Sequence, residues 1–244
     1  MLDLFRSLFA PPRHLILVLA AIWLGLSLAE KRAARHGISR EALSNLVYYS
    51  ILGYVLGGRL LFVLENLQVF LKSPLSILSP NIDLFDPVGA LVSAVLVGMI
   101  YGQRQKLPLW PTLDALTPLL AVLAAGLHLS HLAAGTAFGS PTKHPWGIEL
   151  WNANRHPVQV YELVVSLLIF AFLWFRKPGS FAGSDFLWFI ALTAGSRLLF
   201  ESFRGDSTLV FNGLRAAQLI AWLVLAAAII ASEMLRSRER TELK

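Results

Sequence analysis

The stretch VQVYELVVSLLIFAFLWF, from Val158 to Phe175, is almost continuously apolar after Glu162. Such a block is long enough for a helix that crosses a bilayer, which needs about 20 residues. The apolar residues are continuous rather than alternating, and open sheet edges are not stable in lipid. We therefore predict an all-α, polytopic membrane helical bundle of about seven transmembrane helices, at 14–30, 45–64, 87–102, 113–133, 158–175, 184–200 and 214–235.

The composition agrees with a membrane protein. Hydrophobic residues make up 56% of the 244 residues and charged residues only 15%, with a mean hydropathy of +0.61. In soluble domains, charged residues make up about a quarter of the sequence. The chain has no cysteine. This excludes a disulfide framework, a thiolate metal site and a cysteine nucleophile within the chain.

The basic residues behind the net charge of +6 are distributed unevenly between the two sets of loops. Twelve Lys and Arg residues fall on one set of loops and the C-terminal tail, against six on the other set. The more basic side is normally cytoplasmic. We expect a bacterial plasma-membrane protein with its N-terminus outside and its C-terminus in the cytoplasm, and no nucleic-acid partner.

We expect one integral membrane domain over residues 1–244, with two outer segments. Residues 139–157 form a polar outer loop, because their prolines, histidines and charges do not suit lipid. Residues 66–86 are interrupted by Pro74 and Pro80 but remain apolar enough to form an outer interfacial arm. An ordinary connecting loop with a short helix is the alternative for this second segment.

Charged residues inside spans are costly and usually face a protein interior or a cavity. Arg59 follows Gly57 and Gly58, a pair that lets helices approach closely. Arg59 would face an anion within the bundle. An internal ion pair or a side chain that reaches the membrane surface is the alternative.

A second set of charges lies near the outer end of the sixth span. Arg197, Glu201 and Arg204 are four and three residues apart, so they would share one helix face. Two guanidinium groups joined by one carboxylate could bind phosphate oxygens in a planar, two-point geometry. The alternative is a self-satisfied cluster that only ties helices together.

Two histidines lie near the end of the fourth span. His128 and His131 are three residues apart and therefore also share a face. Neutral histidine can act as a base near physiological pH. Buried histidines without chemistry are the alternative. A metal would need a third ligand, such as His144 or His156; we expect no metal and no cofactor.

Several motifs together resemble the prolipoprotein diacylglyceryl transferase family. They are GGRLLFVLEN at 57–66, GTAFGSPTKHPWGIEL at 135–150, RHPVQVYE at 155–162 and SRLLFESFRGD at 196–206. Their order and the seven spans also match that family. The resemblance implies transfer of a diacylglyceryl group from phosphatidylglycerol to the lipobox cysteine of a preprolipoprotein signal peptide. The products would be a thioether and glycerol phosphate.

If the chain acts as the resemblance implies, we expect nine residues at the site. The catalytic residues would be His128, His131 and Arg197. The phospholipid-binding residues would be Arg59, Arg204, Glu201, His156, Tyr161 and Glu162.

The chain also departs from the family pattern at two positions. The family has a histidine where this chain has Val88, and an arginine where this chain has His128. A working enzyme in which His128 and His131 replace the missing groups is one interpretation. A non-catalytic or altered-substrate lipid-binding relative is the alternative. A channel, transporter or metal-dependent membrane enzyme is disfavoured because no inverted repeat is visible.

Overall fold

The structure is a computed structural model that describes residues 2–79, 81, 84–177, 179–210 and 213–242. Helices dominate this part of the chain, which confirms the all-α membrane bundle. The helices are α1 (Leu2–Leu8), α2 (Leu15–Ala33), α3 (Arg40–Glu65), α4 (Leu67–Lys72), α5 (Pro87–Arg104), α6 (Leu109–Ala134), α7 (Val158–Phe175), α8 (Ser184–Phe200) and α9 (Ala216–Glu242).

Short elements connect these helices. Strands β1 (Ile148–Leu150) and β2 (Ala153–Arg155) form one antiparallel hairpin, and β3 (Leu209–Val210) and β4 (Leu214–Arg215) form another. Turns of 3-10 helix lie at Ala34–His36, Pro74–Leu78 and Glu201–Phe203. The arm predicted at 66–86 contains α4 and the second of these turns, while its residues 80, 82 and 83 lie outside the described residues.

Each of the seven predicted spans is a helix. Among the described residues, five helices are long and apolar enough to cross a membrane: α3, α6, α7, α8 with its following turn, and α9. α2 has 19 residues and ends in Glu30, Lys31 and Arg32, and α5 has 18 residues and ends in Gln103 and Arg104. These polar ends reduce the apolar length, so a crossing by α2 or α5 stays a prediction.

The chain divides into two compact units, Met1–Arg32 with Leu113–Lys244, and Ala33–Thr112. A single domain over 1–244 stays a prediction. In the second unit α3 packs closely against α5. A methyl group added at Gly57 would lie 2.1 Å from the Ser93 side chain, and one at Gly58 would lie 2.4 Å from the Phe85 ring. The expected close approach at this glycine pair is confirmed.

In the first unit, α2 packs against α6. A methyl group at Gly126 would lie 2.2 Å from Ala21 Cβ, and one at Gly25 would lie 3.0 Å from the Leu119 backbone. α8 packs against α7 and α9. A buried apolar cluster joins α6, α7 and α8 through Ala121, Ile169, Leu173 and Phe189. These contacts bring the ends of three helices together, and the polar side chains described next lie at those ends.

Candidate active site

The backbone after α8 positions the site. α8 ends at Phe200, a 3-10 turn follows, and Arg204 is extended at φ −75° and ψ 141°. Arg204 pairs with Gly139 in an isolated antiparallel bridge. The expectation that Arg204 continues the helix face of Arg197 and Glu201 is therefore wrong, because Arg204 belongs to extended backbone that pairs with the outer loop.

The loop at 139–157, predicted to lie outside, runs between two neighbouring segments. The Ser140 N–H donates to the Phe203 carbonyl at 2.7 Å, and the His156 N–H donates to the Ser140 carbonyl at 3.0 Å. The approach is close at Gly139, where an added Cβ would lie 2.2 Å from the His156 carbonyl oxygen. A glycine is required there, because any side chain would push the two segments apart.

Glu162, at the start of α7, is the centre of the cluster. Its Oε1 accepts a hydrogen bond from Arg197 Nη1 at 2.8 Å. Its Oε2 lies 3.2 Å from His128 Nδ1 and 3.7 Å from Arg204 Nη1. The residue is buried, with 4% of its surface exposed. One carboxylate thus contacts groups from α6, from α8 and from the extended residue that follows the turn after α8.

Glu201 is the second buried carboxylate. Its Oε2 lies 2.9 Å from Arg197 Nη2 and 3.8 Å from Arg204 Nε. The predicted bridge between two arginines is confirmed. A carboxylate buried in this way needs such partners, because an unpaired buried charge is very unfavourable.

Two further residues complete the charged cluster, and neither was predicted from the sequence to belong to the site. Asp206 accepts two hydrogen bonds from Arg204, both at 2.9 Å. Arg215 Nη1 donates to the backbone carbonyls of Glu201 at 2.7 Å and Arg204 at 2.9 Å. Arg215 therefore stabilises the turn that carries both residues. The sequence feature that could have indicated Arg215 is its position as a charged residue at the start of an apolar block.

The histidines of α6 differ in their surroundings. His128 contacts Glu162, as described above, and 20% of its side chain is exposed. His131 lies one helical turn further on, with its ring centroid 6.3 Å from that of His128. Of the two, the structure brings His128 to the carboxylate.

An aromatic cluster borders the turn after α8. Trp146 Nε1 donates to the Tyr161 hydroxyl at 2.9 Å, and His156 Nδ1 lies 3.5 Å from the same oxygen. The His156 ring centroid is 5.2 Å from that of Phe203, and the His144 ring stacks on Trp146 at 4.5 Å. His156 and Tyr161 thus contact each other and the turn, and their lipid-binding roles stay predictions.

Arg59 belongs to the other compact unit. Its guanidinium donates to the carbonyls of Ile77 at 2.9 Å, Ser76 at 2.7 Å and Leu84 at 2.6 Å. It therefore fixes the backbone that follows α4. A phospholipid contact by Arg59 stays a prediction. Val88, at the position of the family's histidine, lies in the first turn of α5 and is exposed.

Within the described residues, no group of three or more histidine or acidic residues is arranged to hold a metal ion. The arrangement instead offers cationic donors for an anion and an imidazole beside a carboxylate. Chemically, such a site can bind a phosphate group and accept a proton.

Known proteins are similar in sequence to this chain over most of its length. Residues 14–233 match the prolipoprotein diacylglyceryl transferase family. A phosphatidylglycerol–prolipoprotein diacylglyceryl transferase from Gloeobacter violaceus is 31% identical, over 90% of this chain and 87% of its own length. The enzymes of that name from Thermotoga petrophila and Clostridium tetani are 28% and 24% identical, over 91% and 87% of this chain and 80% and 88% of their own lengths.

The matched region includes the four motifs and all the residues of the Glu162 cluster. A match of this extent establishes membership at the level of the family. The chain belongs to the prolipoprotein diacylglyceryl transferase family.

Proposed function

We propose that this chain transfers the diacylglyceryl group of phosphatidylglycerol to the lipobox cysteine of a preprolipoprotein signal peptide. The observation that carries the proposal is the convergence of Arg197, Arg204 and His128 on Glu162. This convergence supports the proposal, because two arginines that could bind phosphate lie close to an imidazole that could accept a proton. The family membership and the names of the relatives support the same reaction.

Arg197 would make the first contact with the phosphate. Its side chain is 34% exposed, although it already contacts two carboxylates, so an anion can reach it. Guanidinium groups suit phosphate because their donors match two oxygens at once. Arg204 adds positive charge from the neighbouring segment. The same charges would stabilise the phosphate as it leaves.

The reaction exchanges one bond for another. The cysteine sulfur forms a bond to the glyceryl carbon while that carbon's bond to the phosphate oxygen breaks. The electron pair of the broken bond leaves on the phosphate as glycerol phosphate. The thiol proton passes to His128 and then to solvent or to the departing phosphate. Thiolate is the reactive form of cysteine, so a proton acceptor is required.

The surroundings would serve the two substrates. The acyl chains would stay in the bilayer, and the site would open at the outer face of the bacterial plasma membrane, with the N-terminus outside. His156 and Tyr161 would shape the mouth for the signal peptide. The arm at 66–86 would lie in the membrane interface and be held by Arg59.

A transfer assay tests the proposal. The full-length protein would be given labelled phosphatidylglycerol and a lipobox peptide, with a cysteine-to-serine peptide as the control. We expect a thioether on cysteine together with free glycerol phosphate. Arg197→Lys should lower kcat/KM by about 100-fold, because lysine lacks the planar fork that binds phosphate. Arg236→Lys, an exposed surface position, should retain activity. Lipid binding without any turnover would contradict the proposal.

A further inference from the structure

Glu162 holds three different groups that the proposed reaction uses. It contacts Arg197 and Arg204, which would bind the phosphate, and His128, which would accept the thiol proton. The contact with Arg197 is short and hydrogen-bonded, at 2.8 Å, whereas the Oε2 atom is shared between His128 at 3.2 Å and Arg204 at 3.7 Å. The carboxylate therefore lies between the anion site and the base.

A phosphate oxygen and the Glu162 carboxylate require the same donors. Arg204 already directs Nε and Nη2 at Asp206, and its Nη1 points toward Glu162. Arg197 directs Nη1 at Glu162 and Nη2 at Glu201. A lipid phosphate that accepts the Nη1 hydrogen now directed at Glu162 would displace the carboxylate from that arginine. Phosphodiester and carboxylate each carry one negative charge, so the arginines stay neutralised after the exchange.

The charges of the cluster indicate how lipid binding and proton transfer to His128 are linked. The cluster contains three guanidinium groups, those of Arg197, Arg204 and Arg215, and three carboxylates, those of Glu162, Glu201 and Asp206. Binding one phosphodiester adds one negative charge to the cluster. Transfer of the thiol proton to His128 leaves the net charge unchanged, but it forms a positive imidazolium close to that added negative charge. Opposite charges at short distance attract, so lipid binding and proton transfer to His128 should favour each other.

We propose that Glu162 is a positioning residue that links lipid binding to thiol activation. In the lipid-free protein it occupies the arginines. When the phosphate arrives, Glu162 is released from the arginines and keeps only its contact with His128, from which it accepts the Nδ1–H. This fixes the ring so that Nε2 takes the proton of the thiol, and it stabilises the imidazolium that forms. The enzyme would thus activate the thiol once the lipid is in place. This inference rests on the proposed function.

The substitution Glu162→Gln tests the link, because it removes the charge and keeps the shape. A glutamine no longer competes with phosphate for the arginines. We expect the Kd for a short-chain phosphatidylglycerol, measured without acceptor peptide, to fall about 3- to 10-fold. We also expect kcat to fall by about 100-fold or more, because His128 loses its partner. A merely structural role would weaken binding and turnover together.

Glu201→Gln is the matched control. Glu201 forms ion pairs with the same two arginines. The Glu201→Gln variant should also bind the lipid more tightly, but its kcat should fall at least ten times less than that of Glu162→Gln. Should Glu162→Gln fail to fold, Glu162→Asp, which withdraws the carboxylate by one methylene, should show the same pairing of tighter binding with slower turnover.

The outcomes separate the inference from the proposed function. Wild-type protein that produces no thioether and no glycerol phosphate overturns the proposed function, and this inference with it. Wild-type turnover combined with weaker lipid binding in Glu162→Gln overturns the inference alone. Equal losses of kcat in the Glu162 and Glu201 variants also overturn it alone. A lower Kd with a selective loss of kcat in Glu162→Gln supports it.

Discussion

His128 contacts Glu162, and that contact decides which of the two α6 histidines we expect to act as the base. His128 Nδ1 lies 3.2 Å from a buried carboxylate, which fixes the orientation of the ring. We expect His128→Gln to lower kcat by about 100- to 10,000-fold, the range typical for loss of a general base. His131→Gln should lower it less. Single-turnover kinetics with labelled lipid would measure both.

Because glutamine can still donate to Glu162, the His128 variant should keep its affinity for phosphatidylglycerol. A larger loss of turnover in the His131 variant than in the His128 variant would reverse the assignment. Equal losses of lipid binding and turnover in both variants would indicate that the histidines support the fold rather than the chemistry.

The sequence showed which residues were unusual but not how they meet. Arg197, Glu201, His128 and His131 were visible as polar groups within apolar blocks. Glu162 was assigned only to lipid binding, because its contact with His128 spans 34 positions in the chain and depends on how α6 and α7 rotate about their axes. That rotation follows from packing, which no local pattern records. Arg215 was missed because its role consists of backbone contacts.

At the scale of elements, the pairing of the outer loop with the turn after α8 holds Arg204 in place. Gly139→Ala would place a Cβ 2.2 Å from the His156 carbonyl and 2.7 Å from His156 Cβ. The segments must then separate, and Arg204 moves with them because it pairs with Gly139. We expect a lower melting temperature and at least a ten-fold loss of kcat/KM.

Gly195→Ala is the control for that variant. Gly195 lies within α8, and an added Cβ would meet no heavy atom within 4 Å. Alanine in a helix interior is favoured over glycine by about 0.5–1 kcal/mol, so this variant should be as stable as the wild type or more stable. Similar damage from both substitutions would show that the loop contact is not what Arg204 requires.

Asp114, near the start of α6, stabilises the start of α8. The buried carboxylate accepts hydrogen bonds from the backbone N–H groups of Gly183 at 2.6 Å and Phe186 at 2.9 Å. Asp114→Asn offers one acceptor oxygen and no charge, and bonds to charged groups contribute about 1.5–3 kcal/mol each. We expect a lower melting temperature in detergent.

Activity separates this effect from damage to the site. Asp114 lies roughly 20 Å along α6 from His128, at 1.5 Å per residue. At temperatures where the Asp114→Asn protein remains folded, its KM for lipid should therefore match that of the wild type. A change in KM without a change in melting temperature would contradict a purely structural role.

The boundaries of the helices could be predicted from the apolar blocks, whereas the conformation of the irregular segments could not. The predicted spans at 158–175 and 184–200 agree with the bounds of α7 and α8. The β1–β2 hairpin was not predicted, because its turn residues Trp151 and Asn152 adopt positive φ angles of 54° and 57° without a glycine to signal the turn. The exit of Arg204 from the helix was equally hidden, since it depends on pairing with a loop distant in sequence.

At the scale of the whole molecule, the number of crossings decides which side of the membrane the arm occupies. Seven crossings and five crossings both place the two termini on opposite sides. The two numbers of crossings differ in the side of the membrane on which they place the segment at 66–86, because α5 lies between this segment and α6. If α5 crosses, the segment shares a side with the outer loop at 139–157. If α2 and α5 both fail to cross, the segment faces the cytoplasm.

The natural absence of cysteine makes this difference measurable without first altering the chain. Single cysteines at three exposed positions, Gln68→Cys in α4, Lys143→Cys in the outer loop and Ser237→Cys in α9, would be probed with a membrane-impermeant maleimide on intact spheroplasts. We expect labelling at 68 and 143 before permeabilisation and at 237 only afterwards, as the distribution of basic residues predicts. Labelling at 143 but not at 68 would indicate that α5 does not cross and would place the Arg59-bound segment away from the outer lipid leaflet. Labelling at 237 in intact spheroplasts would reverse the orientation altogether, and the site around Glu162 would then face cytoplasmic substrates.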